Sequence, residues 1–367
     1  MAGVSKILAD EIQAHGVISL ARFMELALYC PQYGYYEREE AVIGRAGDYY
    51  TSVSAGSLFG ELLAFQFAEW LEQLSVRPLR LVEAGAHGGN LCADILSWLA
   101  QGRSALYEAT EYWIVEPSAM RQTWQKAKLE KFAGRVYWAD SISSLAESGV
   151  TGVIFSNELL DAMPVRRLGW EAYQRRWFEW GVAMEGTRFV WQKCGLNQEA
   201  VAADLENARL SFSPELEAAL PDGFSVEICS AAATWWTQAS RVLASGRLMT
   251  IDFGFRVEEL LASGRQRGTL RSYHRHHANS DLLAHPGEQD LAAHVNFTQL
   301  QFAGEATGLQ TESLLSQEQF LTRIASRMWD ESSFGRWTSK QARQFQTLTH
   351  PEHLGRPFRV LIQCRQG

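Results

Sequence analysis

Residues 81–95, LVEAGAHGGNLCADI, constrain the fold more than any other stretch of the chain. Leu81, Val82 and Glu83 form a short apolar run closed by an acid, Gly85, Gly88 and Gly89 follow, and Leu91, Ile95, Leu96 and Leu99 then recur at helical spacing. The pattern predicts a strand, a glycine turn and a helix. Such a turn lets a ligand approach backbone N–H groups at the C-terminal edge of a parallel sheet, where open α/β folds bind ligands. An ordinary strand-to-helix turn has the same pattern, so the rest of the chain has to decide between them.

A dinucleotide fingerprint requires G-x-G-x-x-G, and here Gly85, His87 and Asn90 stand at its three positions. That spacing disfavours a pyrophosphate and with it an NAD-dependent oxidoreductase. An acid at the strand end with glycines just after it suits S-adenosylmethionine (SAM) better, because SAM brings an ammonium, a carboxylate and a sulfonium.

With 367 residues, 46% of them hydrophobic, the chain is long enough for one large α/β domain with insertions or for two domains. Lys and Arg total 34 against 42 acids, a net charge of −8, so no general attraction to nucleic acid or an anionic membrane is expected. The five cysteines form no C-x-x-C pair, which argues for a reducing compartment, the cytoplasm by default, and against a zinc site. The N-terminal MAGVSKILADEIQAHG lacks a secretory apolar core, and no stretch approaches the ~20 apolar residues of a membrane span. The expectation is a soluble, uncleaved chain without a bound metal.

Taken in order, Ser5 and Ser19 are placed to cap two opening helices, the second ending before Pro31. Residues 31–57 are rich in Gly, Tyr and charge and lack periodicity. They are read as a loop in which Gly47, Asp48, Thr51 and Ser52 supply the polar groups of a lid over a cofactor. An amphipathic helix follows over Leu58–Leu71. Beyond the glycine loop, Glu111–Glu116 is a second strand whose terminal acid, Glu116, stands where nucleotide-binding α/β folds hold ribose hydroxyls. Helix Ser118–Phe132 leads to a third strand, Arg135–Trp138, followed by Asp140, which is placed to face an adenine amino group. The fourth strand, Gly152–Ser156, runs into NELLDAMPV, whose carboxylates and amide are poor core residues. Residues 166–195 read as a β-hairpin turning at Glu185-Gly186, Thr234–Leu243 as a helix and Arg247–Gly254 as a fifth strand. The His-rich insertion 255–296 reads as a solvated loop, because nothing there aims His274, His276 and His277 at one ion. Helices over Phe297–Thr307, Gln317–Met328 and Thr338–Leu348 and strands over Leu309–Leu315 and Phe358–Cys364 complete a doubly wound sheet. The expected division is a helical N-terminal region, 1–77, and a cofactor-binding domain, 78–367, with insertions at about 166–222 and 255–296.

Several of these stretches together resemble the MidA-like class I SAM-dependent methyltransferases, whose eukaryotic members are mitochondrial complex I assembly factors acting as protein-arginine methyltransferases. They are FMELALYCPQYGYY at 23–36, GDYYTS at 47–52 with FGELL at 59–63, the E-x-G-x-x-x-G loop at 83–89, IVEPS at 114–118, SNELLDAMPV at 156–165, IDFG at 251–254 and HPGEQDLAAHVNF at 285–297. The resemblance implies a Rossmann-like, mostly parallel seven-stranded sheet and SAM as cofactor. It assigns Glu83, Gly85 and Gly89 to the methionine part, Glu116 to the ribose and Asp140 to the adenine. The acceptor it implies is an arginine of a partner protein, gripped by Glu158 and Asp161, which would face one side if the chain there begins a helical turn. Asn157 would bond a substrate N–H or the SAM amine, and a homodimer is compatible with this reading. Where the family usually has GPGRG, this chain has Ala86, His87 and Gly88 between the outer glycines, which keeps a non-catalytic, degenerate SAM binder as the alternative.

Overall fold

Leu79–Ala84 (β1) is the strand on which the central sheet is built, and five of its six residues are buried, as expected where a parallel sheet is covered on both faces. Around it stand Thr110–Val115 (β2), Val136–Ala139 (β3), Val150–Asn157 (β4), Leu243–Phe255 (β5), Gln310–Ser316 (β6) and Phe358–Arg365 (β7). The computed structural model describes residues 3–38, 51–274, 277–331 and 337–366. Across the sheet the order is β3-β2-β1-β4-β5-β7-β6. Strands β3, β2, β1, β4 and β5 pair in parallel, whereas β7 is antiparallel to both neighbours. The expected doubly wound, mostly parallel sheet is therefore present, with an eighth strand beyond the seven expected: Val295–Asn296 pairs in parallel with the end of β5. The winding reverses between β1 and β4, and the crevice beyond the strand ends at such a reversal is where these sheets take ligands.

The chain divides into two compact units, each assembled from three segments. One unit contains the central sheet and comprises Tyr50–Leu159, Trp235–Phe253 and Gln301–Gly367. Its core packs helices Leu58–Glu72, Asn90–Gly102 and Gln317–Asp330 against the strands, with Phe59, Leu62, Leu63, Phe67, Leu96 and Leu321 fully or almost fully buried. Each such side chain contributes roughly 1.5–3 kcal/mol by leaving water. Gly60 lets two of these helices approach closely, since a Cβ there would lie 2.5 Å from that of Asp94.

The other unit comprises Met1–Tyr49, Leu160–Thr234 and Gly254–Leu300. Its helices Val4–His15 and Leu20–Tyr29 are the two the sequence predicts; Ser19 caps the second by accepting the Arg22 N–H at 3.1 Å, whereas Ser5 lies inside the first, which starts after Gly3 with no side-chain cap. Its sheet runs Ile18–Ser19, Arg176–Glu185, Arg166–Glu171, Ser225–Ile228, with Arg188–Gly195 paired to Arg176–Glu185. The single hairpin expected over 166–195 is thus three strands. The turn after Glu185 is where predicted, but Arg166–Glu171 also pairs with Arg176–Glu185, brought together by Trp170 and Trp177, whose ring centroids are 5.2 Å apart. The insertion expected to be a loop carries a small sheet of Arg271–His274, His277–Asn279 and Asp290–Ala292. The boundary expected at 77/78 falls within the unit that holds the central sheet, and the first two helices belong with the inserted segments instead.

Candidate active site

The loop that follows β1 is held by backbone conformations that few side chains tolerate. Gly85 and Gly89 have φ of 79° and 80°, and His87 adopts φ 44° between them. A Cβ on Gly85 would stand 3.0 Å from Leu159 Cδ1, whereas one on Gly88 would meet nothing within 4 Å, so one side of the loop is packed and another is open. Gly89 precedes helix Asn90–Gly102 without a side-chain cap, which leaves the first backbone N–H groups of the helix to other acceptors. Burial and the nearby Arg121 guanidinium push the His87 imidazole down to about 4, so it is neutral at physiological pH.

Glu83, the acid that closes the apolar run of β1, is 3% exposed and accepts the Tyr112 hydroxyl from β2 at 2.7 Å. Burial raises its carboxyl to about 7 from an ordinary value of 4.5, although the Tyr112 hydrogen bond opposes the rise.

Glu116 follows β2 and is 1% exposed. Its Oε1 accepts the Ser118 backbone N–H at 2.9 Å and pairs with Arg121 at 3.0 Å, and its Oε2 accepts Gln125 Nε2 at 3.2 Å. Gln125 comes from helix Ala119–Lys128, which ends four residues before the expected Phe132 because Leu129 leaves helical geometry and a separate 3₁₀ turn, Glu130–Phe132, follows. Asp140, just beyond β3, is exposed and accepts Gln122 Nε2 at 3.1 Å.

At the end of β4, Ser156 Oγ donates to Thr250 Oγ1 on β5 at 2.9 Å, locking the two strand ends. Asn157 Nδ2 donates to Glu158 Oε1 at 3.1 Å, and the Ser52 backbone N–H donates to the same oxygen at 3.0 Å. Asn157 Oδ1 is buried and accepts no hydrogen bond among the described residues, an arrangement that costs free energy unless a donor arrives. The chain then turns through Glu158 at φ 53°, and the Glu158 N–H continues the sheet by donating to Ile251 O at 2.9 Å. Leu159 N donates to the fully buried Asp252 at 3.2 Å.

The family model for S-adenosyl-L-methionine-dependent methyltransferases matches residues 62–315, well over half of the chain. The chain belongs to this methyltransferase family. The mouse mitochondrial protein arginine methyltransferase NDUFAF7 is 28% identical over 320 residues, covering 79% of this chain and 67% of the relative. The zebrafish protein of the same name is 27% identical and covers 97% and 85% respectively. A crystal structure of a protein from Burkholderia thailandensis bound to S-adenosyl-homocysteine is 30% identical, with a TM-score of 0.83 over 99% of this chain and 92% of that one.

The methyltransferase uses SAM, and two features of the strand ends fit that cofactor: an open side of the loop at Gly88 and an oriented carboxylate at Glu116. Glu83, Gly85, Gly89, Glu116, Asp140, Asn157 and Glu158 all lie at the C-terminal ends of β1 to β4 or in the loops just beyond them. Of the four lid residues, Gly47 and Asp48 lie outside the described residues. Thr51 and Ser52 are buried, and Ser52 Oγ is tied to Gln317 Oε1 at 3.0 Å. The helical turn expected to align Glu158 with Asp161 does not form, because the left-handed backbone at Glu158 breaks the i, i+3 relation. Asp161 belongs to the other unit, where its carbonyl accepts the Ala293 N–H at 2.8 Å. Sequence reasoning passed over Gln125 and Tyr112. The signal for Gln125 was a polar residue at helical spacing with Ser118, Gln122 and Leu129. The His-rich segment is described only in part, and among the described residues no group of three or more His, Cys, Asp or Glu could hold a metal. No described helix is long and apolar enough to cross a membrane.

Proposed function

We propose that this methyltransferase transfers the methyl group of SAM to an arginine side chain of a partner protein. The observation that carries the reading is the pairing at the end of β4, where an oriented Glu158 carboxylate stands beside the donor-less Asn157 carbonyl. A guanidinium is a planar cation with five N–H donors and no acceptor, which is the complement of a carboxylate and a carbonyl oxygen. The arginine methyltransferase names of the two vertebrate relatives support the same acceptor.

When bound, SAM supplies an electrophilic methyl group on a sulfonium. The protein's task is to orient and to accept a proton. Ser52 and Asn157 fix one Glu158 oxygen, so the carboxylate can hold the guanidinium with one nitrogen directed at the methyl carbon. Glu158 would take the proton that the attacking nitrogen gives up as the methyl–sulfur bond breaks and S-adenosylhomocysteine leaves; Asp161 is the second acid assigned to the reaction. Gly85, Gly89 and the carboxylate oxygen of Glu83 that Tyr112 does not take are assigned to the methionine part. Glu116 is assigned to the ribose, Asp140 to the adenine, and Gly47, Asp48, Thr51 and Ser52 to the cover over the cofactor. We place the reaction in the cytoplasm, a reading supported by the five free cysteines; the vertebrate relatives carry a mitochondrial designation in their names.

Calorimetric titration with SAM tests the binding half of this reading. Glu116→Ala should weaken binding by about 1–3 kcal/mol, the cost of leaving ribose hydroxyls unpaired. Unchanged affinity in a variant with intact circular dichroism would remove Glu116 from the site. Mass spectrometry of partner proteins after incubation with SAM tests the acceptor, and a methyl group on lysine or on a small metabolite would refute it.

A further inference from the structure

The side chain of Gln125 is fully buried in helix Ala119–Lys128, yet the surrounding core could be filled by a leucine or methionine of similar length. Burying a primary amide is unfavourable unless its donors and acceptor are matched. Here they are matched by three different segments. Nε2 donates to the His87 carbonyl at 2.8 Å and to Glu116 Oε2 at 3.2 Å, and Oε1 accepts Trp138 Nε1 at 2.9 Å. His87 belongs to the glycine loop after β1, Glu116 follows β2, and Trp138 is on β3. One amide therefore fixes the loop, the acid and the third strand end to each other. The contact to the loop is made at the residue with φ 44°, a conformation that a non-glycine side chain adopts at a cost.

We propose that Gln125 is a positioning residue of the cofactor site, holding the Gly85–Gly89 loop and the Glu116 carboxylate in the mutual geometry that SAM requires. The inference rests on the assignment of Glu116 to the ribose. It gives Gln125 no direct contact with cofactor or acceptor. Its effect passes through two groups that the amide orients, in the way that outer hydrogen bonds hold a binding constellation rigid.

The test uses the full chain with S-adenosylhomocysteine as the probe in calorimetry. Gln125→Met keeps length and apolar packing but leaves the His87 carbonyl, Glu116 Oε2 and Trp138 Nε1 without their partner. The dissociation constant is expected to rise by about tenfold or more, with helix and strand content retained. Gln125→Glu provides the readout that a merely structural role would not move. While ionised, the introduced carboxylate cannot donate to Glu116 and repels it. Once protonated, it can donate again. Affinity for the probe should therefore recover in this variant as pH falls from 8 to 5.5, relative to wild type over the same range. Glu116→Ala is measured in parallel. Wild-type affinity in folded Gln125→Met, with Glu116→Ala weakened, overturns the positioning role and leaves the ribose assignment standing. Wild-type affinity in both overturns the two together. A Gln125→Glu variant whose affinity follows the wild-type pH profile also overturns the proposal, and it remains informative if Gln125→Met does not fold.

Discussion

Replacing Glu158 by glutamine is expected to lower methyl transfer by roughly 10²-fold or more while leaving SAM affinity close to wild type. The substitution keeps an oxygen for the Ser52 N–H, now at 3.0 Å, and for Asn157 Nδ2, now at 3.1 Å, so the strand end retains its shape. It removes the negative charge that orients a guanidinium and the group that takes its proton. A loss confined to turnover distinguishes an acceptor-orienting residue from a cofactor ligand, because removal of a cofactor ligand would appear first in the SAM titration. Asp161→Asn, measured alongside, shows whether the second acid of this segment affects turnover at all. Equal arginine methylation by wild type and both variants, read by mass spectrometry, would refute the assignment.

The second large effect concerns stability. Burial raises the Glu83 carboxyl from 4.5 to about 7, so the folded protein binds this proton more tightly than the unfolded chain does. Below the unfolded value both states are protonated and nothing is lost. As pH rises from about 4.5 to 7 the unfolded chain releases the proton first, and stability falls; above 7 the full penalty is present. At about 1.4 kcal/mol per tenfold change in proton affinity, the rise corresponds to roughly 3 kcal/mol. Glu83→Gln retains an oxygen for the Tyr112 hydroxyl and abolishes the titration. The variant is therefore expected to gain on the wild type between pH 5 and pH 8 by roughly 2–4 kcal/mol in urea unfolding. A difference between the two proteins that does not change with pH would show that the carboxyl does not titrate in this range.

The central sheet was legible because its strands are short, nearly continuous apolar runs closed by polar residues such as Glu83, Glu116 and Asn157, and the helices between them carry the 3.6-residue period. The ends of elements were not. Helix Ala119–Lys128 stops early at Leu129, and β5 begins at Leu243, the last residue of the expected helix and four residues before the expected strand start at Arg247, because pairing with β4 overrides local preference. The inserted segments were under-read for a different reason. Arg271–His274 and His277–Asn279 are three or four residues each, too short for alternation to register against a polar background. The strand ends that carry Glu83, Glu116 and Asn157 could be placed from sequence alone. Gln125 could not, because its partners are three groups that stand 9 to 38 residues away along the chain. Nor could the left-handed turn at Glu158, which is imposed by the bond from its N–H to Ile251 on β5.

The position of β7 between β5 and β6 has a consequence for how the polypeptide can be assembled. Residues 358–365 supply the strand through which β6 is joined to the rest of the sheet. During vectorial synthesis on the ribosome, β5 must wait with one long row of N–H and C=O groups unpaired, and β6 has nothing to dock against until this segment emerges. An uncovered edge of that kind recruits strands from other chains. A nascent or proteolytically clipped molecule lacking these eight residues would thus be an aggregation hazard rather than a slightly shortened enzyme.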